Sequence, residues 1–199
     1  MRPMPRLTSP ALVLVLAACG GEEAAITPET AAPPSRVEAV AARDEDPARR
    51  FCDVSAALGE GRPLELPPLE GPSAPVGGWR WVNVWATWCP PCVEELPRIV
   101  AWRARLAADG AAIEPFFVSV DGSADDVTRW RASHPDAPDS ARMTDPGALS
   151  AFFASLGLDA ATSIPIHALV DPTGRVRCVR AGAVSERDYP AIRAIVRGR

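Results

Sequence analysis

The stretch VNVWATWCPPCVEELP, residues 82–97, constrains the fold more than any other part of this chain. Its first half continues a run of β-branched and aromatic residues of strand length that ends at Ala86. Its second half begins with Cys89 and Cys92, after which apolar residues recur at helical spacing until Gly110. The sequence therefore predicts a strand, a sharp turn and a helix, with both thiols at the turn.

Thiols in this position are suited to redox chemistry. The thiolate is the reactive form of cysteine, and a helix N-terminus stabilises negative charge. Two intervening residues place Cys92 one turn after Cys89, so a disulfide between them can close and open again. A zinc site is the main alternative, but the chain lacks a second close cysteine pair and has only two histidines. A permanent structural disulfide across so short a loop gains little closure entropy.

Composition and charge narrow the classes of function that remain. A chain of 199 residues with 47% hydrophobic residues suits one domain with its own core plus additional segments. The net charge of −4 is mild, and no basic block lies near aromatic residues. Nucleic-acid binding is therefore excluded.

The N-terminus has the pattern of a targeting segment. Residues 1–19 combine two arginines with a short apolar stretch, and LAAC at Leu16–Cys19 resembles the lipobox of bacterial lipoprotein signals. The resemblance implies that Cys19 carries the acyl chains and lies on the periplasmic side of a membrane, with Gly20 favouring the outer membrane. The alternative is an ordinary secretory signal with an incidental cysteine. Residues 20–50, rich in alanine and proline, are expected to be a disordered tether, and residues 51–199 the folded domain.

Strands and helices are expected to alternate along the folded domain. This order predicts an α/β fold with a sheet covered on both faces. The predicted elements after the first helix are a strand within Ala112–Asp121, a helix capped by Ser123, a helix opened by Asp145 and Pro146, a strand-turn-strand unit in IPIHALVDPTGRVRCV, and a last helix over Tyr189–Val196.

Two motifs carry a family resemblance. NVWATWCPPCVEELP resembles the active site of the thioredoxin superfamily, most closely its TlpA-like and ResA-like membrane-tethered thiol:disulfide oxidoreductases. ATSIPIHALVDPTGRV is similar to the second landmark of that family, in which a cis-proline, here Pro165, lies beside the cysteines. The resemblance covers residues 64–197 and implies a thioredoxin fold, with a central mixed β-sheet, helices on both faces and a TlpA-like central βα insertion. It also implies that Cys89 is the nucleophile, Cys92 the resolving thiol and Ile164 the residue facing the pair.

Attack of Cys89 on a client disulfide would leave the two proteins joined by a mixed disulfide. Cys92 must lose its proton before it can attack Cys89 and release the client. Cytosolic thioredoxins carry an aspartate on the preceding strand, whereas this chain has Asn83, which cannot titrate. In the ResA-like branch a glutamate three residues after the second cysteine is the base, and that position is Glu95. One helical turn brings Glu95 to the side of Cys92. The alternative is that Glu94 and Glu95 merely complement the helix dipole, which we accept for Glu94.

Client contacts are expected around the cysteines. Trp88 is expected to be an exposed apolar rim, and Pro90, Pro91 and Ile164 to flank the client. The two prolines supply neither charge nor backbone N–H groups, so we expect a moderately reducing pair, unlike a DsbA-like oxidase. The thiols carry the electrons, and no metal or other cofactor is expected.

Two cysteines remain, Cys52 and Cys178. In an oxidising compartment they are expected to pair, with a loop long enough for a stabilisation of about 4 kcal/mol. Two independent buried thiols are the alternative. We expect such a bridge to survive reductants that open a more exposed active-site pair.

The predicted function is reduction of disulfides in exported proteins, of the kind matured with cytochrome c or respiratory metal sites. Its partners are those clients, a membrane or periplasmic thiol electron donor and, through the lipid anchor, a membrane; the protein is expected to be a monomer. The alternative is a copper-binding carrier that uses the same thiols, with His167 as a further ligand. A lone histidine on a strand is more often structural.

Overall fold

A computed structural model describes residues 46–198 of the chain. The elements are α1 Pro47–Phe51, β1 Val54–Ser55, β2 Leu69–Glu70, β3 Trp79–Trp85, α2 Pro90–Ala108, β4 Ile113–Ser119, α3 Ala124–Ser133, β5 Ser140–Met143, a 3-10 turn Pro146–Ala148, α4 Leu149–Ser155, β6 Ile166–Val170, β7 Val176–Ala181, a 3-10 turn Glu186–Asp188 and α5 Tyr189–Val196.

The strands form one mixed sheet in the order β1-β7-β6-β3-β4-β5-β2. β3 pairs in parallel with β4 and antiparallel with β6, so the strand that leads to the cysteines lies near the middle of the sheet. β6 follows Pro165, and its pairing with β3 brings the two sequence motifs together. The predicted α/β class and thioredoxin fold are confirmed.

The alternation of β3 explains how both sheet faces are covered. Trp81 and Trp85 point to one face, where they join the apolar side of α2 and α5. Val82 and Val84 point to the other face, where α4 packs through Phe152. All four strand residues are at most 1% exposed, so β3 is buried on both sides.

Two local features differ from the sequence expectation. The strand β5 was not predicted: its four residues alternate in burial, but so short a segment after a proline-rich loop is hard to distinguish from an extended loop. With the 3-10 turn and α4 it forms one extra βα unit before Pro165, in the place expected for the central insertion. The helix that Asp145 caps begins as the 3-10 turn before it becomes α4.

The described fold also begins slightly earlier than the expected boundary at Phe51. α1 starts at Pro47, the side chain of Asp46 accepts a hydrogen bond from the Ala48 N–H, and Ala48 is fully buried. The predicted targeting segment 1–19 with Cys19, and the predicted tether up to residue 45, lie outside the described residues. No helix within residues 46–198 has both the length and the apolar character needed to cross a membrane.

Candidate active site

The turn between β3 and α2 places the first cysteine at the end of a helix. Cys89 is the N-cap of α2, and Pro90 and Pro91 form the first helical positions. The Cys89 N–H donates to the carbonyl of Ala86 over 3.2 Å, which closes the turn. Cys89 and Cys92 form a disulfide with their Cα atoms 5.3 Å apart. Proline suits these positions because its fixed φ matches a helix and its missing N–H has no partner there.

Access differs between the two cysteines. Cys89 is 5% exposed and lies in the wall of a groove of about 390 Å³, whereas Cys92 is fully buried. An attacking thiol from another molecule can therefore approach only Cys89. The expectation of an exposed active-site pair is wrong for the residues as a whole: Cys92 is fully buried, and Cys89 is nearly buried and lies against the Ile164 carbonyl.

The groove beside Cys89 is apolar. Its lining is Trp88, Cys89, Pro90, Val120, Leu149, Phe153, Thr162, Ser163 and Ile164. No charged side chain belongs to this lining. Trp88 is 66% exposed at its rim, in agreement with its predicted place. Pro91 is exposed at the start of α2 but does not line the groove.

The second motif forms the opposite wall. The Ile164–Pro165 peptide bond is cis, and Pro165 is buried. The carbonyl oxygen of Ile164 lies 3.9 Å from the sulfur of Cys89. The structure thus brings Cys89, Cys92, Ile164 and Pro165 together, although about 70 residues separate the two motifs.

A buried carboxylate holds the loop that leads to Cys89. Asp121 is 1% exposed and accepts hydrogen bonds from the Thr87 hydroxyl at 2.6 Å and from the Thr87 N–H at 3.1 Å. It also accepts one from the Ser119 hydroxyl at 2.6 Å. Sequence reasoning missed Asp121. The available signal was an acidic residue at the end of a strand that was predicted to be buried.

Glu95 lies in a buried polar cluster beneath the active-site helix. It is fully buried, and its Oε1 accepts from the Asn83 amide at 2.8 Å. Its Oε2 accepts from the backbone N–H of Val184 at 2.8 Å. Glu94, one residue earlier, is exposed. Glu95 lies three residues after Cys92 on α2, and Asn83 contacts its carboxyl group from β3.

His167 belongs to the same cluster. It is 2% exposed, its Nε2 lies 3.4 Å from Oε2 of Glu95, and its Nδ1 lies 3.1 Å from the indole nitrogen of Trp81. Asn83 and His167 are opposite each other in the antiparallel register of β3 and β6. Sequence reasoning treated the two residues separately, and the shared signal was a polar side chain with apolar neighbours on both sides in each of two strands.

The remaining cysteines lie elsewhere in the fold. Cys52 and Cys178 form a disulfide that ties the end of α1 to β7. Cys178 is 1% exposed and Cys52 is partly buried, so residue burial does not make this bridge less accessible than the active-site pair. Among residues 46–198, no three His, Cys, Asp or Glu side chains are arranged to hold a metal ion.

The family model described as Redoxin matches residues 77–195, which include both motifs. The chain belongs to the Redoxin family. Membership and fold agree with the thiol:disulfide oxidoreductase that the sequence predicts.

Solved structures with the same fold include a protein of Chlorobium tepidum described as a putative thiol:disulfide interchange protein DsbE. It is 20% identical to this Redoxin-family chain, the match covers 68% of this chain and 96% of the other, and the TM-score is 0.50. A thioredoxin-like protein whose oxidised form was solved in solution is 16% identical, with coverage of 69% and 96% and a TM-score of 0.51. No curated protein matches the chain in sequence.

Proposed function

We propose that this chain is an exported thiol:disulfide oxidoreductase that reduces disulfides in extracytoplasmic client proteins. The observation that carries the proposal is the asymmetry of the pair: Cys89 opens onto the apolar groove, and its partner Cys92 is fully buried behind it. Disulfide exchange needs two different thiols: a nucleophile that contacts the client and a resolving thiol that does not.

The first step uses Cys89. In the reduced enzyme its thiolate, stabilised by the start of α2, attacks one sulfur of the client disulfide. A bond forms between Cys89 and that sulfur, the client S–S bond breaks, and the second client sulfur leaves as a thiolate that takes a proton from water. The free energy of this step depends on how well the helix terminus stabilises Cys89, since the groove lining contributes no charge.

The second step uses Cys92 and Glu95. Glu95 takes the proton of the Cys92 thiol, and the resulting thiolate attacks the sulfur of Cys89. The mixed disulfide breaks, the first client sulfur leaves as a thiolate that takes a proton from water, Glu95 releases its proton to water, and the Cys89–Cys92 disulfide forms. The client gains two electrons and two protons, and an external dithiol donor must reduce the enzyme again. A buried base is required here because a buried thiol resists ionising.

Client binding follows from the groove. Trp88, Pro90 and Ile164 offer apolar contacts on both sides of Cys89, and an extended segment carrying the client cysteine fits beside the chain before Pro165. Pro91 is exposed next to this surface and contacts a client that extends beyond the groove. By resemblance to the TlpA-like branch, the clients are apocytochromes or respiratory metal-site proteins.

The location is proposed from residues 1–50. Cleavage before Cys19 and its acylation anchor the enzyme on the periplasmic side of a membrane, with the outer membrane favoured, and residues 20–45 tether the domain, since residues 46–50 already belong to the described fold. Labelling of cells with a radioactive fatty acid tests this: the native chain incorporates label and a Cys19→Ala variant does not. Absence of label in the native chain would contradict the proposed lipid anchor.

Partner trapping tests the enzymatic proposal. A Cys92→Ser variant cannot resolve its mixed disulfide, so it accumulates in cells as adducts that a reductant releases. A Cys89→Ser, Cys92→Ser double variant is the matched control and forms none. The purified native protein should also reduce insulin with a dithiol donor. Stoichiometric copper binding without insulin reduction would instead favour the alternative function, a copper-binding carrier.

A further inference from the structure

The contact between His167 and Glu95 has a defined direction of hydrogen bonding. Both side chains are buried to 98% or more, and Nε2 of His167 lies 3.4 Å from Oε2 of Glu95. The other ring nitrogen, Nδ1, lies 3.1 Å from Nε1 of Trp81. An indole N–H is a donor only. Nδ1 must therefore accept, and the neutral ring carries its hydrogen on Nε2, the nitrogen that faces Glu95.

The amide of Asn83 agrees with this tautomer, since its Nδ2 lies 3.4 Å from Nδ1 of His167 and supplies a second donor to the same nitrogen. The indole of Trp81 is sufficient by itself, because its one nitrogen can only donate. A hydrogen on both ring nitrogens would set Nδ1–H against the Trp81 N–H in a buried site, which costs free energy.

Glu95 consequently faces three N–H donors. Two form hydrogen bonds in the structure, from Asn83 to Oε1 and from the Val184 backbone to Oε2. The third is Nε2–H of His167, which has no hydrogen-bond partner among the described residues and lies near Oε2. The oxygens of a buried carboxyl group need such donors to replace their hydration.

We propose that His167 is a positioning residue that acts through Glu95. In the Nε2–H tautomer its N–H faces Oε2 of Glu95 at 3.4 Å and holds the carboxyl group in position for the proton of Cys92. This inference rests on the proposed role of Glu95 in disulfide exchange. It also gives His167 a different task from copper ligation, which needs a free lone pair on the ring.

Nitrogen NMR tests the tautomer without any activity assay. The chain has two histidines, so a His134→Gln variant leaves His167 as the only imidazole. We expect the Nδ1 resonance at the position of an unprotonated ring nitrogen and the Nε2 resonance at that of a protonated one. The opposite pattern would overturn the proposal.

Kinetics test the coupling to Glu95. His167→Leu removes the donor, and we expect resolution of the mixed disulfide to slow about tenfold or more, as for loss of a hydrogen bond to a charged group. His167→Gln keeps an N–H near the position of Nε2 and should restore most of the rate. His134→Gln, an exposed histidine, should leave the rate unchanged.

A double-mutant cycle separates positioning from a general loss of structure. In a Glu95→Gln background, His167→Leu should cause no further slowing. Equal slowing in both backgrounds would overturn the proposal. If His167→Leu does not fold, the proposal is tested by the tautomer from NMR and by the rate of resolution in His167→Gln. If the native protein shows no disulfide exchange, the proposed function fails while the tautomer result stands.

Discussion

Asn83 donates an amide hydrogen to the carboxylate of Glu95 across 2.8 Å, and both side chains are fully buried. Asn83, on β3, is therefore the hydrogen-bond partner of an acidic residue and is not itself acidic. In a thioredoxin with an aspartate at this strand position, the strand supplies the carboxylate. In this chain the carboxylate comes from α2, and the amide of Asn83 orients it.

Replacement of Glu95 by glutamine tests the base. We expect Glu95→Gln to slow resolution of the mixed disulfide about a hundredfold, since general-base catalysis contributes at least that much. The attack of Cys89 on the client should keep its rate. The two steps are separated by rapid mixing with a labelled disulfide peptide, and the variant should also lose part of the pH dependence of the second step.

Glu94→Gln is the matched control, because Glu94 is the exposed neighbour on the same helix. It should leave both steps unchanged. If the two variants behave alike, the proton of Cys92 leaves by another route.

We expect the first turn of α2 to influence the redox potential of the cysteine pair. Pro90 and Pro91 lack N–H groups, so the Cys92 N–H is the only amide of the first three helical positions. Pro91→His restores one N–H and adds an imidazole, and both stabilise a Cys89 thiolate. We expect the potential to become less negative, by about 30 mV for each tenfold change in the equilibrium constant. Equilibration with dithiol buffers measures it.

Pro91→Ala separates the two contributions, because it restores the N–H without the imidazole. Its potential should lie between those of the native protein and Pro91→His. A potential of Pro91→His equal to or below the native one contradicts this account.

The second disulfide is expected to stabilise the fold without taking part in turnover. It closes a loop with a sequence separation of 126, for which chain entropy predicts a contribution of about 4 to 5 kcal/mol. A Cys52→Ser, Cys178→Ser double variant should lose about that much free energy of unfolding in urea and keep its reductase activity.

The active-site pair provides the opposite pattern. A Cys89→Ser, Cys92→Ser variant should lose all activity and much less stability, because its loop spans a sequence separation of 3. A large loss of activity in the Cys52→Ser, Cys178→Ser variant, with the fold retained, would show that this bridge does more than hold the chain.

Asp171 makes stability depend on pH. Burial raises the pKa of this carboxyl, but hydrogen bonds from the Thr173 hydroxyl and from backbone N–H groups outweigh burial, and the net pKa lies below its usual value. The backbone donors are Gly59, Thr173 and Arg175. A carboxyl with a lowered folded-state pKa contributes stability that is complete above its unfolded pKa, about 3.9, and is lost as pH falls through the folded-state value.

Asp171→Asn should therefore destabilise the protein by about 1 to 3 kcal/mol at pH 7. The difference from the native protein should shrink at pH values below about 4, where the native carboxyl also becomes protonated. Urea unfolding at several pH values measures it, with the exposed Asp136→Asn as control. A difference that stays constant with pH is incompatible with this role of the charge.

Several elements were predictable because their signals are local. The apolar run before Ala86, the helical spacing after Pro90, the Ser123 cap and the cysteine spacing all depend on neighbouring residues, and the structure has the corresponding elements. β5 was not predictable, because its order comes from pairing with β4 and β2 rather than from its own residues.

The residues of the chain by themselves determined a strand, a turn with two thiols and a helix, because local periodicity and spacing encode these. Only the tertiary structure decided that Cys89 faces a groove while Cys92 is buried, and that Asn83 and His167 converge on Glu95. Those contacts depend on the register of β3 against β6 and on the packing of α2 over the sheet, which join residues far apart in sequence.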